Sequence, residues 1–136
     1  MSKKSTHEVI TPSDLDIEPE KHEQRAAKAM ANYLKQNVKF VKRSSTSRTA
    51  DIVTVKTNVY WEIKGIEGDG KRTIQNNLRE SEGQARNIIL ELSRTNLASD
   101  KVIGRVKEAV RKKHYNIAKA VIVTKSKTVI DISDIV

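Results

Sequence analysis

Residues 117–125, IAKAVIVTK, constrain the fold most, because Ala120–Val123 run apolar and β-branched without alternating with polar positions. That pattern is typical of a strand covered on both faces, which calls for helices layered on a sheet. The segments around it supply such layers. DIEPEKHEQRAAKAMANYLKQ predicts a helix, with Pro19 in its first turn, acidic residues near its start and Lys35 near its end. Ala27, Met30, Ala31 and Leu34 form its apolar stripe, and Glu23, four residues before Ala27, belongs to the same side. Glu20 sits three residues further back, less deeply.

Short β-like runs follow. VKFVK begins at Val38, RSSTSRT is a polar loop, DIVTVK begins at Asp51, and TNVYWEIKG follows a tight turn at Thr57 and Asn58. GIEGDGKR is a glycine-rich connection without the spacing that cradles phosphate. Ile74, Leu78, Ala85, Ile88, Ile89 and Leu92 predict one long helix from about residue 73 to 93. DKVIGRVKEAVRKKH predicts another helix, capped by Asp100, and TVIDISDIV supplies a last strand. The expected architecture is α/β, a mixed central sheet flanked by helices. Residues 1–17 are expected as a mobile polar tail and 18–136 as a single domain, with no internal repeat.

Composition narrows the chemistry. There is no cysteine, and His7, His22 and His114 stand far apart, so thiolate chemistry and zinc sites are not expected. No apolar run reaches membrane-spanning length and the N-terminus lacks a signal-peptide core, so a cytoplasmic chain without a membrane partner is expected. The 26 Lys and Arg against 17 Asp and Glu give a formal charge of +9, which favours nucleic acid or an acidic protein.

The stretch ADIVTVKTNVYWEIKG places charges inside β-like runs. In a strand, Glu62 and Lys64 point to one face with Tyr60, while Val59, Trp61 and Ile63 point to the other. If the two runs pair as a hairpin, Asp51 comes level with Glu62 and Lys64, and Glu23 on the preceding helix can add a third carboxylate. Oxygen ligands with an adjacent ammonium suit metal-assisted phosphodiester hydrolysis: they hold Mg²⁺, and the lysine orients water or offsets developing charge. The spacing alone fits equally a solvated Glu–Lys pair on a wet strand face.

Asp51, ten residues, then EIK, within an α-β-β-β-α-β order, resembles the PD-(D/E)XK nuclease superfamily with its restriction-endonuclease-like fold. TIQNNLRESEGQARNIILELS is similar to the matching segment of C-terminal toxin domains of CdiA contact-dependent growth-inhibition proteins. The resemblance spans about residues 20–132. It implies Asp51 and Glu62 as ligands of Mg²⁺ or another divalent cation, Lys64 as catalytic base or stabiliser, Glu23 as the helix acid, and Gln84 as a polar residue facing the site. An exposed helix glutamine is the other reading of Gln84. Ala50 departs from the proline that often precedes the aspartate. The implied function is a nuclease acting on tRNA or DNA, delivered into a target bacterium and neutralised by an acidic immunity protein. An excised domain and a free-standing relative from a mobile element both fit. Lys42, Arg43, Arg48, Lys71, Arg72, Arg111, Lys112 and Lys113 are the expected phosphate contacts. The alternative is a non-catalytic module of the same fold that binds nucleic acid or a partner through helix 101–113.

Overall fold

A computed structural model describes residues 7–15, 18–42, 50–70, 72–81 and 87–136. In chain order the elements are β1 (Val9–Ile10), α1 (Lys21–Leu34), β2 (Val38–Phe40), β3 (Ile52–Thr54), β4 (Tyr60–Gly65), α2 (Thr73–Ser81), β5 (Asn87–Glu91), α3 (Ser99–Lys112), β6 (Lys119–Val123) and β7 (Val129–Asp131), followed by a 3-10 turn at Ser133–Ile135. Together they make a mixed α/β fold, with the strands in one seven-stranded sheet whose spatial order follows the chain. β2, β3 and β4 are antiparallel neighbours, whereas β4, β5 and β6 run parallel, joined through α2 and α3.

The sheet has a core on each face, as the covered strand required. Ala26, Ala27, Met30 and Ala31 of α1 pack with Ile52, Trp61, Ile63, Ile89, Val121 and Val123. On the opposite face Ile74 and Leu78 of α2 and Val102 and Val106 of α3 pack with Ile88, Leu90, Ala120 and Ile122. β6 thus buries alternate residues in alternate cores.

The long helix expected over 73–93 is a shorter helix and a strand. α2 is described over Thr73–Ser81, and Asn87–Glu91 is β5, paired parallel with both β4 and β6. The reason is two-sided burial: Ile88 and Leu90 enter one core and Ile89 the other, which an extended chain between two packed faces allows. Ala85 of the expected stripe lies outside the described residues.

Smaller corrections concern helix ends and the tail. Ala98, not Asp100, occupies the N-cap of α3; Asp100 lies in the first turn, where its Oδ1 accepts from Lys101 N. Pro19 lies outside α1, whose N-cap is Glu20, and Lys35 takes the left-handed C-cap conformation. Val9–Ile10, inside the expected tail, pairs parallel with β2.

Candidate active site

The hairpin β3–β4 builds the site. Its register pairs Ile52 with Trp61 and Val53 with Tyr60, and one further step sets Asp51 beside Glu62. Asp51 is fixed there from three directions: its N–H donates to Trp61 O at 2.9 Å, its carbonyl accepts from Val41 N at 2.9 Å, and its Oδ2 accepts from Ile63 N at 2.6 Å. The side chain therefore clamps the start of β3 onto β4, its carboxylate held next to the backbone of Glu62 and Ile63.

Strand alternation does the rest. Trp61 and Ile63 enter the α1-side core, so Glu62 and Lys64 face α2. Glu62 is 2% exposed. Its Oε2 lies 3.4 Å from Lys64 Nζ, and the same ammonium lies 3.6 Å from Glu80 Oε1 at the end of α2. Glu62 Oε1 is buried with no hydrogen-bond partner among the described residues. Ser81, fully buried, sits against this carboxyl, but its hydroxyl donates to Asn77 O at 2.8 Å.

The electrostatics follow from that packing. Burial raises the Glu62 carboxyl to about 7, because the charged form loses its water. Lys64 pulls it back down, the neighbouring Asp51 carboxylate pushes it up, and Ser81 lowers it slightly. A carboxyl near neutrality, beside a second carboxylate and an ammonium, is the type of group that catalytic and metal-binding sites contain.

Three of the expected site residues, Asp51, Glu62 and Lys64, are thus brought together. Glu23 lies on α1, which covers the Trp61 and Ile63 face, and its Oε1 accepts from Glu20 N at 2.9 Å, closing the first turn. The same side of β4 carries Gly65, where a Cβ would come 2.5 Å from Arg94 Nη2 and 2.6 Å from His22 Cδ2 of α1, so a larger residue there would require those two side chains to move. Among the described residues no group of three or more His, Cys, Asp and Glu side chains is disposed to hold a metal ion. Gln84, Arg43, Arg48 and Lys71 lie outside the described residues.

The remaining basic residues are spread out. Lys42 lies 3.9 Å from Asp14 Oδ2, Arg72 is exposed, and Lys113 stands over the Tyr115 ring at 5.2 Å. Arg111 and Lys112 share one carboxylate, Glu108, at 2.9 and 3.5 Å. Glu80 and Ser81 were not anticipated from sequence. Ser81 had a readable signal, since it follows Ile74 and Leu78 at helical spacing and is therefore a polar residue on an apolar stripe. Glu80 had none.

Among the described residues no helix is long and apolar enough to cross a membrane. The chain is similar in fold to a solved chain described as a CdiA-CT/CdiI toxin and immunity complex from Burkholderia pseudomallei, with TM-score 0.65 and 13% identity over 92% of this chain and 98% of that one. No curated protein matches it in sequence. Residues 48–129, more than half of the chain and including Asp51, Glu62 and Lys64, match the profile of the contact-dependent growth inhibition CdiA C-terminal domain. The chain belongs to this family of CdiA C-terminal toxin domains.

Proposed function

We propose that the chain is a metal-dependent endonuclease, the toxin domain of a contact-dependent growth inhibition system, that hydrolyses phosphodiester bonds of tRNA or DNA. The observation that carries this reading is Glu62 Oε1, a buried carboxylate oxygen without a partner among the described residues, on a side chain beside Asp51 and paired with Lys64. Such an orphaned oxygen costs on the order of 1–3 kcal/mol, which a bound cation would offset. The donor set also fits: Mg²⁺ is commonly held by one or two carboxylates, with water and substrate phosphate completing its shell. Glu62 and Asp51 are the residues that would hold it, with Gln84 a further candidate for the site. Glu23 is left to close the first turn of α1.

When bound, the ion polarises a phosphoryl oxygen and lowers the pKa of a bound water. The chain's own residues do the positioning. Asp51, tied to Ile63 N, keeps its carboxylate at the level of Glu62. Lys64, held between Glu62 and Glu80, directs its ammonium to the place where negative charge develops on the scissile phosphate. The run α1–β2–β3–β4–α2–β5 has the element order of a restriction-endonuclease-like core, which supports the same reading. An acidic immunity protein, complementary to the +9 charge, is the expected partner, and the cytoplasm of a target bacterium the expected place of action.

The test incubates the protein with total tRNA and, separately, plasmid DNA, with Mg²⁺ or EDTA, alongside Glu62→Gln and Lys64→Ala. Metal-dependent cleavage of one polymer, reduced about 100-fold or more in both variants, is the expected result. No cleavage by the unsubstituted protein, with binding unaffected by either substitution, would replace the nuclease with the non-catalytic binding module.

A further inference from the structure

A second charged feature lies on the other face of the sheet. Lys21, Arg25 and Lys28 follow one another on α1 at steps of four and three, so they line one side of the helix, away from its apolar stripe. Together with Lys127 from the β6–β7 turn they border a half-open cavity of about 470 Å³, with Gln24 and Asn32 also in its wall.

The groove has a fixed floor. Arg25 Nη1 donates to Glu91 Oε2 at 2.8 Å and to Thr124 O at 2.9 Å, and its Nη2 donates to Lys125 O. The guanidinium therefore ties α1 to the β6–β7 turn, which Lys127 N closes onto Thr124 O at 3.0 Å. Glu91 neutralises Arg25, so the charge left to the groove is that of Lys21, Lys28 and Lys127. None of these three forms an ion pair among the described residues. The exposed end of α3 differs in this respect, since Arg111 and Lys112 both lean on Glu108.

We propose that this groove binds the phosphodiester backbone of the nucleic acid, as a site apart from Asp51, Glu62 and Lys64. The inference rests on the reading that nucleic acid is the substrate. Three uncompensated ammonium groups around a concavity suit successive phosphates, which lysine contacts as a point charge without reading sequence. An acidic protein suits it less well. Among the described residues the groove has no aromatic or large apolar lining side chain to anchor a protein interface, and lysine is depleted from the centres of such interfaces. α1 lies across the sheet from Glu62, so the substrate must extend beyond the reacting phosphate and around the fold. Long or folded nucleic acid meets that requirement, and a dinucleotide does not.

The test measures binding of labelled tRNA and of a short duplex DNA in EDTA, so that cleavage plays no part. The triple variant Lys21→Ala/Lys28→Ala/Lys127→Asn removes the groove charge; asparagine is used at 127 because that residue sits at φ 70°, in the left-handed region. A control, Lys39→Ala/Lys56→Ala/Lys119→Ala, removes equal charge from exposed positions elsewhere. The groove variant is expected to weaken binding about tenfold or more, and to reduce the slope of log K against log salt by about 2. The control should change both much less. Equal losses in the two variants would overturn the groove and leave only diffuse charge. If instead polyglutamate binds as tightly as tRNA and is lost in the same variant, the occupant is an acidic protein and the proposal falls. Because the measurement is made without metal, a protein that cleaves nothing can still show the groove, and one that cleaves normally can still lack it.

Discussion

Two buried glutamates on neighbouring parallel strands are treated very differently. Glu91 of β5 is fully buried on the α1 side, and both its oxygens are occupied: Oε2 accepts from Arg25 at 2.8 Å and from Ser93 N at 3.0 Å, and Oε1 accepts from Ser93 Oγ at 2.7 Å. Glu62 of β4 faces α2 and, among the described residues, has one ion pair at 3.4 Å and keeps Oε1 without a hydrogen-bond partner. Burial alone does not separate them, since both are almost completely enclosed. Completeness of the partner set does. A buried charge with every lone pair engaged holds elements together, whereas one left incomplete is strained in the absence of a further ligand. The first glutamate fastens α1 to the sheet and to the β6–β7 turn; the second belongs to the candidate site.

The sharpest way to break this comparison is to remove the partner of the satisfied glutamate. Arg25→Ala leaves Glu91 buried without its cation and also releases Thr124 O and Lys125 O. Breaking a buried pair from one side costs about 3–5 kcal/mol, so the variant should lose a large part of the stability of a domain this size. Urea unfolding measures it. A cost below about 1 kcal/mol, typical of a surface ion pair, would show that Glu91 is no more structural than Glu62.

The reverse experiment acts on the unsatisfied glutamate, and its sign depends on pH. Glu62 is raised in the folded chain from 4.5 to about 7, so folding favours its protonated form. The stability this group contributes is complete below about pH 4.5 and is lost as the pH rises through about 7. Glu62→Gln removes the titration. In EDTA the variant should therefore gain on the unsubstituted protein between pH 5 and pH 8, by about 2–3 kcal/mol at most, given ~1.4 kcal/mol per pH unit. Adding Mg²⁺ at pH 8 should stabilise the unsubstituted protein and leave the variant unchanged, narrowing that gap. A difference between the two proteins that stays constant across the pH range would mean that Glu62 is not held in a costly ionised state.

The part of the site on the hairpin was legible in the sequence because strand alternation is local. Glu62 and Lys64 must share a face once the strand exists, and the turn at Asn58, with φ 57°, fixes which residue Asp51 meets. The same locality failed at Asn87–Glu91. A contiguous Ile88-Ile89-Leu90 satisfies a helical stripe as well as a two-sided strand, and only the neighbours β4 and β6 decide between them. Glu23 shows the same limit. Its position on the buried side of α1 was legible, but that side packs on Trp61 and Ile63. The face of the sheet that a helix covers is a tertiary fact. The helical spacing of Lys21, Arg25 and Lys28 was legible, but Lys127 lies far along the chain, so the turn that completes the groove was not.

Ser81 offers the smallest and most specific refinement. Its hydroxyl donates to Asn77 O, and it is the polar member of a stripe that otherwise buries Ile74 and Leu78. Ser81→Ala should cost only about 1 kcal/mol, the usual net worth of one hydrogen bond. Its effect on Glu62 is more informative than its effect on stability. Ser81 holds the Glu62 carboxyl down slightly, so its removal should move that titration further up, toward a still more poorly solvated acid. Carboxyl carbon NMR of the metal-free protein reads this directly. A stability loss without movement of the Glu62 titration would reduce Ser81 to a helix-end hydrogen bond and return the setting of Glu62 to burial, Lys64 and Asp51 alone.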